Sequence, residues 1–110
     1  MSRHANDITH LMQRVERFED RWGVSLECLS AWVGIQDTVQ VSGELRLTTG
    51  LQLPQRIFLI FACYDEANRV ISVTKEVHLP ESFFGFSAFS VVLSTLGCRI
   101  SKILIYPKPY

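Results

Sequence analysis

The sequence predicts a mainly β protein, an antiparallel β-sandwich of about six strands with one amphipathic helix at its N-terminal end. Short segments of alternating or continuous apolar residues recur from residue 24 to 106, separated by turn-forming residues. A helical period occurs only before Gly23. The 110 residues are 47% hydrophobic and 20% charged, which indicates a single folded domain spanning residues 1–110.

The N-terminal segment predicts a helix over residues 7–22. Its apolar residues recur at helical spacing: Ile8, Leu11, Met12, Val15, Phe18 and Trp22. Gly23 is placed to end it. The opposite face interleaves arginines with acidic residues, including the pair Glu19 and Asp20, which is typical of a solvated surface. We expect the apolar stripe to pack on this domain or on a partner chain.

The first two strands are predicted over residues 24–35 and 38–48. The second, "TVQVSGELRLT", alternates most clearly, because every second residue is apolar. Its residues expected to face the core are Val39, Val41, Leu45 and Leu47. Gly43 in its middle indicates a bulge or a close approach of another chain segment.

The third strand, "IFLIFACY" over residues 57–64, is apolar on both faces. A strand of this kind needs cover on both sides. One side is the sandwich core, and we expect the N-terminal helix or a second copy of the chain to cover the other. The turn "DEAN" then leads to a fourth strand over residues 69–79. Its residues expected to point inward are Ile71, Val73, Val77 and Leu79.

The last two strands are predicted over residues 86–93 and 99–106, with residues 107–110 as an extended tail. Before and within the fifth strand, "ESFFGFSAF" holds four aromatic residues: Phe83, Phe84, Phe86 and Phe89. One strand cannot bury all four on one face. Either Phe89 and one other lie in the core while the rest cap the sandwich end, or Phe83, Phe84 and Phe86 form an exposed patch that binds a partner.

Three segments, "VSGELRL", "IFACYDEANRVIS" and "HLPESFFGFSAFSV", resemble the small immunoglobulin-like sandwich domains named FxLYD. The resemblance covers about residues 39–93. Gly43 matches the glycine in mid-strand, Tyr64 and Asp65 match the hairpin positions, and Phe89 matches the late phenylalanine. Cys63 stands where leucine is usual in that pattern. The resemblance implies an immunoglobulin-like fold and an accessory or interaction role, and no reaction.

Charge and cysteine content indicate the partners and the compartment. Lysine plus arginine equals aspartate plus glutamate at 11 each, so no global field attracts a nucleic acid or an acidic membrane. We expect no membrane-spanning segment and no secretory signal, because no apolar run is long enough. Cys28, Cys63 and Cys98 are odd in number and widely spaced, which fits reduced thiols in the cytoplasm.

Catalytic chemistry is not indicated by any motif. His4 and His10 do not share a helical face, His78 is distant from both, and no metal-binding spacing or phosphate-binding glycine loop occurs. Cys63 and His78 could meet across the hairpin, but a buried thiol beside an edge histidine is the commoner arrangement. We therefore expect no catalytic residue, no cofactor and no metal.

The sequence predicts a binding role. The aromatic strands carry almost no lysine or arginine, so we expect no nucleic-acid binding. The leading hypothesis is a non-enzymatic protein-interaction or assembly module that self-associates as a homodimer through the phenylalanine segment. The alternative is a small-ligand carrier or enzyme with a pocket between the helix and the sheet.

Overall fold

Seven strands and one α-helix make up the computed structural model, which describes residues 6–50 and 52–109. In chain order they are β1 (Met12–Arg14), α1 (Glu16–Trp22), β2 (Val24–Val33), β3 (Thr38–Leu47), β4 (Ile57–Asp65), β5 (Val70–His78), β6 (Phe86–Ser94) and β7 (Ile100–Pro109). Short 3-10 turns occupy Thr9–Leu11 and Pro80–Ser82. The mainly β fold class is confirmed, with one strand more than the six expected.

The strands form two sheets, with order β1-β7-β4-β5 in one and β2-β3-β6 in the other. The chain makes the β2–β3 hairpin, crosses to the other sheet for the β4–β5 hairpin, returns to place β6 beside β3, and crosses again to place β7 beside β4. All of these neighbours are antiparallel, while the short β1 lies parallel to β7. Inward side chains of both sheets form one apolar core.

The core follows the alternation of the strands. Its fully buried residues come mainly from β2, β3, β4 and β7: Val24, Leu26, Ala31, Val39, Val41, Leu45, Ile57, Leu59, Phe61, Cys63, Ile103 and Ile105. Phe61 of β4 meets Phe89 of β6 edge to face, with ring centroids 5.4 Å apart, and so joins the two sheets. Burial of each large apolar side chain is worth about 1.5–3 kcal/mol.

The predicted helix over residues 7–22 is wrong for its first half. Only Glu16–Trp22 is α-helical, and Val15 before it is extended, with φ −113° and ψ 91°. Met12–Arg14 instead pairs with Ile103–Ile105 of β7. A short isolated helix is marginal in water, so pairing with an existing sheet prevails over the local helical period. Gly23 ends the helix as predicted, in the left-handed conformation at φ 67°.

Glu19 was expected on a solvated face, and the structure buries it to 2% exposure. Its carboxylate accepts hydrogen bonds from the Arg14 guanidinium, with Nε 2.9 Å from Oε2, and from the Leu26 backbone N–H at 3.1 Å from Oε1. The hydrogen bond to Glu19 is the main reason that the pKa of Arg14 is raised. One buried carboxylate therefore ties α1 to both β1 and β2.

Strand β7 continues through Pro107 to Pro109, so most of the predicted tail is part of the sheet. Pro107 lies opposite Leu59 and Pro109 opposite Ile57. Strand β1 pairs only with Ile103–Ile105, which leaves the end of β7 as a sheet edge on that side, where proline is tolerated. Tyr110, the last residue of the predicted tail, lies outside the described residues.

The prediction that Val73 and Val77 point inward is wrong, because they are 57% and 45% exposed. The register places Val73 opposite Ala62 and Val77 opposite Phe58, on the outer side of the sheet. Directly opposed residues share a face, so the inner face of β5 carries the partners of the buried β4 residues: Ser72, Thr74, Glu76 and His78. Strand β5 is the sheet edge, where polar side chains reach the rim of the core.

Gly43 is a point of close approach, as the sequence indicated. A Cβ atom on Gly43 would lie 2.7 Å from Leu29 Cδ2 and 2.8 Å from Phe89 Cζ. The bulge itself lies in the neighbouring β2, between Glu27 and Ser30, where Cys28 has φ 54°. The absence of a side chain on β3 therefore makes room for Leu29 and Phe89.

We predict that Gly43→Val destabilises the fold by about 1–3 kcal/mol, because the added methyl groups overpack this point. Thermal or urea unfolding measures the change. Ser42→Val is the matched control, since Ser42 lies next to Gly43 and faces the outer side of the same strand. Equal stability of Gly43→Val and the native chain would contradict the close approach.

We predict that Asp65 stabilises the β4–β5 turn above about pH 4 and stops doing so in acid. Asp65 Oδ1 accepts hydrogen bonds from the backbone N–H groups of Arg69 and Ala67, each at 2.9 Å. These two hydrogen bonds lower the pKa of Asp65, and the one from Arg69 has the largest effect. The contribution is present above the unfolded pKa of about 3.9 and is lost as pH falls through the folded pKa. Asp65→Asn should lower the melting temperature at pH 7 and much less at pH 2.

The control for Asp65 is Glu66→Gln in the same turn. Glu66 is 65% exposed and lies 3.9 Å from Arg99, and such surface pairs contribute little. A melting-temperature difference between Asp65→Asn and the native chain that is the same at pH 7 and pH 2 would contradict the role of the charge.

Candidate functional site

No metal-binding cluster is found among residues 6–50 and 52–109: no three His, Cys, Asp or Glu side chains there lie close enough to share a metal ion. No helix in that part of the chain has the length and apolar character to cross a membrane. Cys63 lies opposite Ser72 and His78 opposite Ile57, six residues apart along the hairpin, or about 20 Å. The hypothetical pairing of Cys63 with His78 is therefore wrong.

His78 is a buried residue at the rim of the core. Its ring meets Phe83 edge to face at 5.8 Å. Its Nε2 atom lies 2.9 Å from Glu76 Oε1, but the contact lacks hydrogen-bond geometry. His10 is exposed in the first 3-10 turn, and His4 lies outside the described residues.

The phenylalanine segment divides between core and surface. Phe83 is 3% exposed and Phe89 is 5% exposed, so both are core residues. The expectation that Phe83 belongs to an exposed patch is wrong, because Phe83 follows the 3-10 turn over Pro80–Ser82 and packs in the sandwich beside His78. Phe84 and Phe86 are 84% and 57% exposed and remain candidate binding residues.

Strand β6 is a sheet edge, hydrogen-bonded to β3 alone. The Leu47 N–H donates to Gly85 O at 2.9 Å and the Thr95 N–H to Asp37 O at 2.8 Å. The backbone N–H and C=O groups of the odd-numbered residues therefore point toward β3. Those groups of the even-numbered residues point away from β3, because the direction alternates along the strand. These outward residues are Phe86, Ala88, Ser90, Val92 and Ser94, and all five side chains are exposed.

The free edge of β6 lacks the features that usually prevent edge pairing. Residues 83–98 contain no charged residue and no proline, and the β3–β6 register has no bulge. Val92 is 62% exposed. The edge strand of the other sheet, β5, differs because it carries Lys75 and Glu76 and pairs with β4 through an irregular register. Only the end of β6 is covered, where the Ser72 hydroxyl donates to Ser94 O at 2.7 Å.

The outer side of the four-stranded sheet, which we call the lysine face, combines aromatic residues with lysines. Its outward residues are Phe58, Ile60, Ala62 and Tyr64 of β4, Val73, Lys75 and Val77 of β5, and Lys102, Leu104, Tyr106 and Lys108 of β7. Lys75 Nζ lies 4.6 Å from the Phe58 ring centroid, and Lys102 Nζ lies 4.2 Å from that of Tyr64. Ionic head groups thus sit on aromatic rings across neighbouring strands.

The second face of β4 has two buried residues within the single chain. Ile60 and Ala62 are only 7% and 5% exposed, although α1 reaches this face only near Tyr106. Their register partners are Lys75 and Val73 on β5 and Tyr106 and Leu104 on β7, whose long side chains can cover neighbouring residues with their apolar parts. The single chain therefore already buries these two residues of β4.

A groove of about 310 Å³ lies between α1 and the end of β7. Its walls are Phe18, Arg21 and Trp22 from the helix and Tyr106, Pro107, Lys108 and Pro109 from the strand. The Phe18 and Tyr106 rings lie 5.8 Å apart, and the Arg21 guanidinium is 5.5 Å from the Trp22 ring. The groove is therefore apolar at its base and carries two cations, and it lies where the sequence placed the alternative pocket.

A second cavity, of about 460 Å³, opens at the opposite end of the sandwich between the β2–β3 and β6–β7 loops. Its lining includes Asp37, Thr95 and Arg99. It contains one carboxylate and one guanidinium and no aromatic ring, so it offers less for recognition than the groove.

The three cysteines are free thiols, as expected, in two environments. Cys63 is buried in β4, and burial raises its pKa to about 11. Cys28 and Cys98 are exposed.

The lysine face was not predicted from the sequence, although its pattern is present there. In "SKILIYPK", Lys102, Leu104, Tyr106 and Lys108 share one parity, opposite to that of the buried Ile103 and Ile105. That parity shows which residues share a side of β7. It does not show which aromatic strand lies beside them, because the β4–β7 pairing joins distant parts of the chain.

Comparison with known proteins gives no further assignment. No protein-family model, no curated protein and no solved structure matches the chain. The roles of its surfaces are therefore argued from their own geometry.

We predict that a thiol reagent labels two cysteines per native chain and the third only after unfolding. Cys28 and Cys98 are accessible, whereas Cys63 is buried and its raised pKa leaves little thiolate at neutral pH. Labelling followed by mass spectrometry counts the modified thiols. The Cys28→Ser/Cys98→Ser variant should show none in the native state, and modification of its Cys63 at the rate of an exposed thiol would contradict the prediction.

Proposed function

We propose that this chain is a non-enzymatic interaction module that self-associates through the free edge of β6. The observation that carries the proposal is an uncharged, proline-free edge strand of nine residues whose outward backbone groups have no neighbouring strand. Such an edge pairs readily with another strand. A second copy offers the same edge, and a twofold axis allows the two to pair.

The β6 edge is compatible with antiparallel pairing to itself. A twofold axis at Phe89 places Phe86 opposite Val92 of the second copy, and Ala88 opposite Ser90 of the second copy. All four are even-numbered, so their backbone N–H and C=O groups point to the open edge and form the new ladder. The result is a continuous six-stranded sheet across two chains.

Side chains of the same edge favour this pairing. Phe86 and Val92 are 57% and 62% exposed, and aromatic residues opposite β-branched residues stabilise antiparallel strands. Phe84, which is 84% exposed, precedes the strand and would lie beside the end of the partner β6. Phe84 and Phe86 thus keep their proposed partner-binding role, now as parts of one strand edge.

The family and location belong to the same proposal: an immunoglobulin-like, FxLYD-like domain of the cytoplasm. In support, Gly43 lies in the middle of β3, Tyr64 and Asp65 end β4 at the hairpin, and Phe89 lies in β6. The three free thiols support a reducing compartment.

The second candidate function is a small-ligand carrier, which the groove between α1 and β7 favours. Its volume of about 310 Å³ is at the small end of ligand sites, and its two cations would select an anionic, apolar ligand. The groove and the β6 edge are lined by different residues, so variants can separate the two functions.

We predict that the native chain sediments as a dimer at micromolar concentration, with about twice the monomer mass of 12.6 kDa. Val92→Lys should give a folded monomer, because a charge on an edge strand opposes pairing. Ser90→Pro should do the same, because it removes an N–H that points to the open edge and leaves the β3 ladder intact. Sedimentation equilibrium measures the mass, and circular dichroism confirms folding.

The matched control is Val73→Lys, which makes the same change at an equally exposed valine of β5. It should remain dimeric. A native chain that stays monomeric to about 100 μM, a concentration at which even weak specific pairs form, would contradict self-association. Dissociation by Val73→Lys but not by Val92→Lys would move the interface to the lysine face.

A further inference from the structure

The described cations with known surroundings form two groups, one paired with carboxylates and one not. Four arginines pair with carboxylates: Arg14 with Glu19, Arg46 with Glu44, Arg69 with Asp65 and Arg99 with Glu66. Five other cations have no carboxylate within ion-pair distance in the described part of the chain: Arg17, Arg21, Lys75, Lys102 and Lys108. Lys75, Lys102 and Lys108 lie on the lysine face, Arg21 and Lys108 line the groove, and Arg17 lies on α1 next to Phe18. The neutral net charge thus includes a sheet face with lysines and no carboxylate.

Aromatic rings are interleaved with these cations. Arg17 lies 5.4 Å from the Phe18 ring and Arg21 5.5 Å from the Trp22 ring. Lys75 and Lys102 lie on Phe58 and Tyr64, as described above. We call these cations and rings, together with Tyr106 and Lys108, the cation–aromatic strip.

The strip is continuous from the groove to the sheet. Tyr106 contacts Phe18 in the groove and lies opposite Ile60 on the lysine face. Lys108 lines the groove and lies opposite Phe58. From Lys102 to Lys108 is six residues along β7, or about 20 Å, which is longer than a small metabolite.

The chemistry of the strip selects an extended anion. The outward positions of β4, β5 and β7 hold no carboxylate, so a second copy placed face to face would bring lysines against lysines. Rings beside cations suit a partner that has both flat faces and regularly spaced negative charges. Single-stranded nucleic acid has this combination, because its bases stack on aromatic side chains while its phosphates contact cations.

We propose that the cation–aromatic strip binds single-stranded nucleic acid. Lys75, Lys102 and Lys108 contact separate phosphates of one strand laid along the sheet, and one base enters the groove against Tyr106 and Trp22. The sequence argued against nucleic acid because the aromatic strands themselves carry few cations. The sheet register supplies those cations from neighbouring strands. The proposal is independent of self-association, because the β6 edge lies in the other sheet.

The first test is fluorescence anisotropy of a labelled oligothymidine of about 12 nucleotides, titrated at several salt concentrations from about 50 mM. Three phosphate contacts predict a slope of log K against log salt near −2, at about −0.7 per contact. Lys75→Gln/Lys102→Gln should weaken binding by about tenfold or more and reduce the slope by about 1.4.

The matched control is Arg46→Gln/Arg99→Gln, which removes the same charge from positions outside the strip. It should bind within about twofold of the native chain, because removing a distant, screened charge has little effect. Equal weakening in both double variants would overturn the proposal, since it would reflect net charge alone. The monomeric Val92→Lys variant should bind as the native chain does.

Tryptophan fluorescence provides a readout specific to the groove. Trp22 lines the groove and Trp32 lies on β2 in the other sheet, so stacking on Trp22 should quench emission in the native chain and not in Trp22→Phe. Folding of each variant is checked by its melting temperature.

Three results would overturn the proposal. The first is no anisotropy change with oligothymidine or oligouridine at about 50 mM salt. The second is binding of a polyglutamate peptide or of vesicles containing phosphatidylserine as tightly as the oligonucleotide, which would assign the strip to an acidic protein or a membrane. The third is binding of thymidine monophosphate as tightly as the oligomer, which would favour the small-ligand carrier.

Discussion

The register of β4 between β5 and β7 is the constraint on which the rest of the structure depends. It directs Leu59 and Phe61 into the core and places Tyr64 opposite Lys102 on the outer side. A shift by one residue would exchange the two faces, because side chains alternate along a strand. It would expose part of the core and direct outward lysines toward the interior, where an unpaired charge is costly. The core and the lysine face therefore both depend on the same strand register.

Two local features near the end of β4 set that alignment. Asp65 closes the turn to β5 through hydrogen bonds to two backbone N–H groups, and the Ser101 hydroxyl donates to Asp65 O at 2.6 Å. Both pairings of β4 change register at this point, between Cys63 and Tyr64 toward β5 and between Tyr64 and Asp65 toward β7. A turn with defined geometry fixes the register of the hairpin that it joins.

The buried Glu19 has a comparable role for the groove. By bonding Arg14 of β1 and the backbone of β2, its carboxylate holds α1 against the edge of the sandwich. Phe18 and Trp22 on the same helix then form one wall of the groove, opposite Tyr106. Removing Arg14, which is 36% exposed, would leave the buried Glu19 carboxylate without its charged partner, which is unfavourable.

The open edges of the two sheets are protected to different degrees. The edge of β2 is covered by the N-terminal segment, where the Ile8 N–H donates to Ala31 O at 2.9 Å. The end of β7 carries two prolines, and β5 carries Lys75 and Glu76. Within the described residues, β6 alone among these edges has neither charge nor proline, and it is covered only at Ser94. This contrast, rather than exposed aromatic area by itself, makes β6 the favoured place for pairing between chains.

The sequence by itself determined the features that depend on neighbours along the chain. The period-two alternation of β3, the hairpin turn at Asp65, the close approach at Gly43 and the end of the helix at Gly23 were all predicted. Each follows from local backbone geometry or from which side of a strand a residue occupies. The fold class followed from the same signals, because a chain of strands that are joined by turns, without helices between them, can adopt few architectures.

Only the tertiary structure decided which faces meet. Met12–Arg14 has a helical period but pairs with β7, Val73 is apolar but points outward, and Phe83 lies in the core while Phe84 does not. The physical reason is that β-sheet pairing joins residues distant in the chain, and the energy of a shared ladder and core exceeds local propensity. The same pairing brings the lysines of β5 and β7 to the aromatic residues of β4, a surface that no single segment contains.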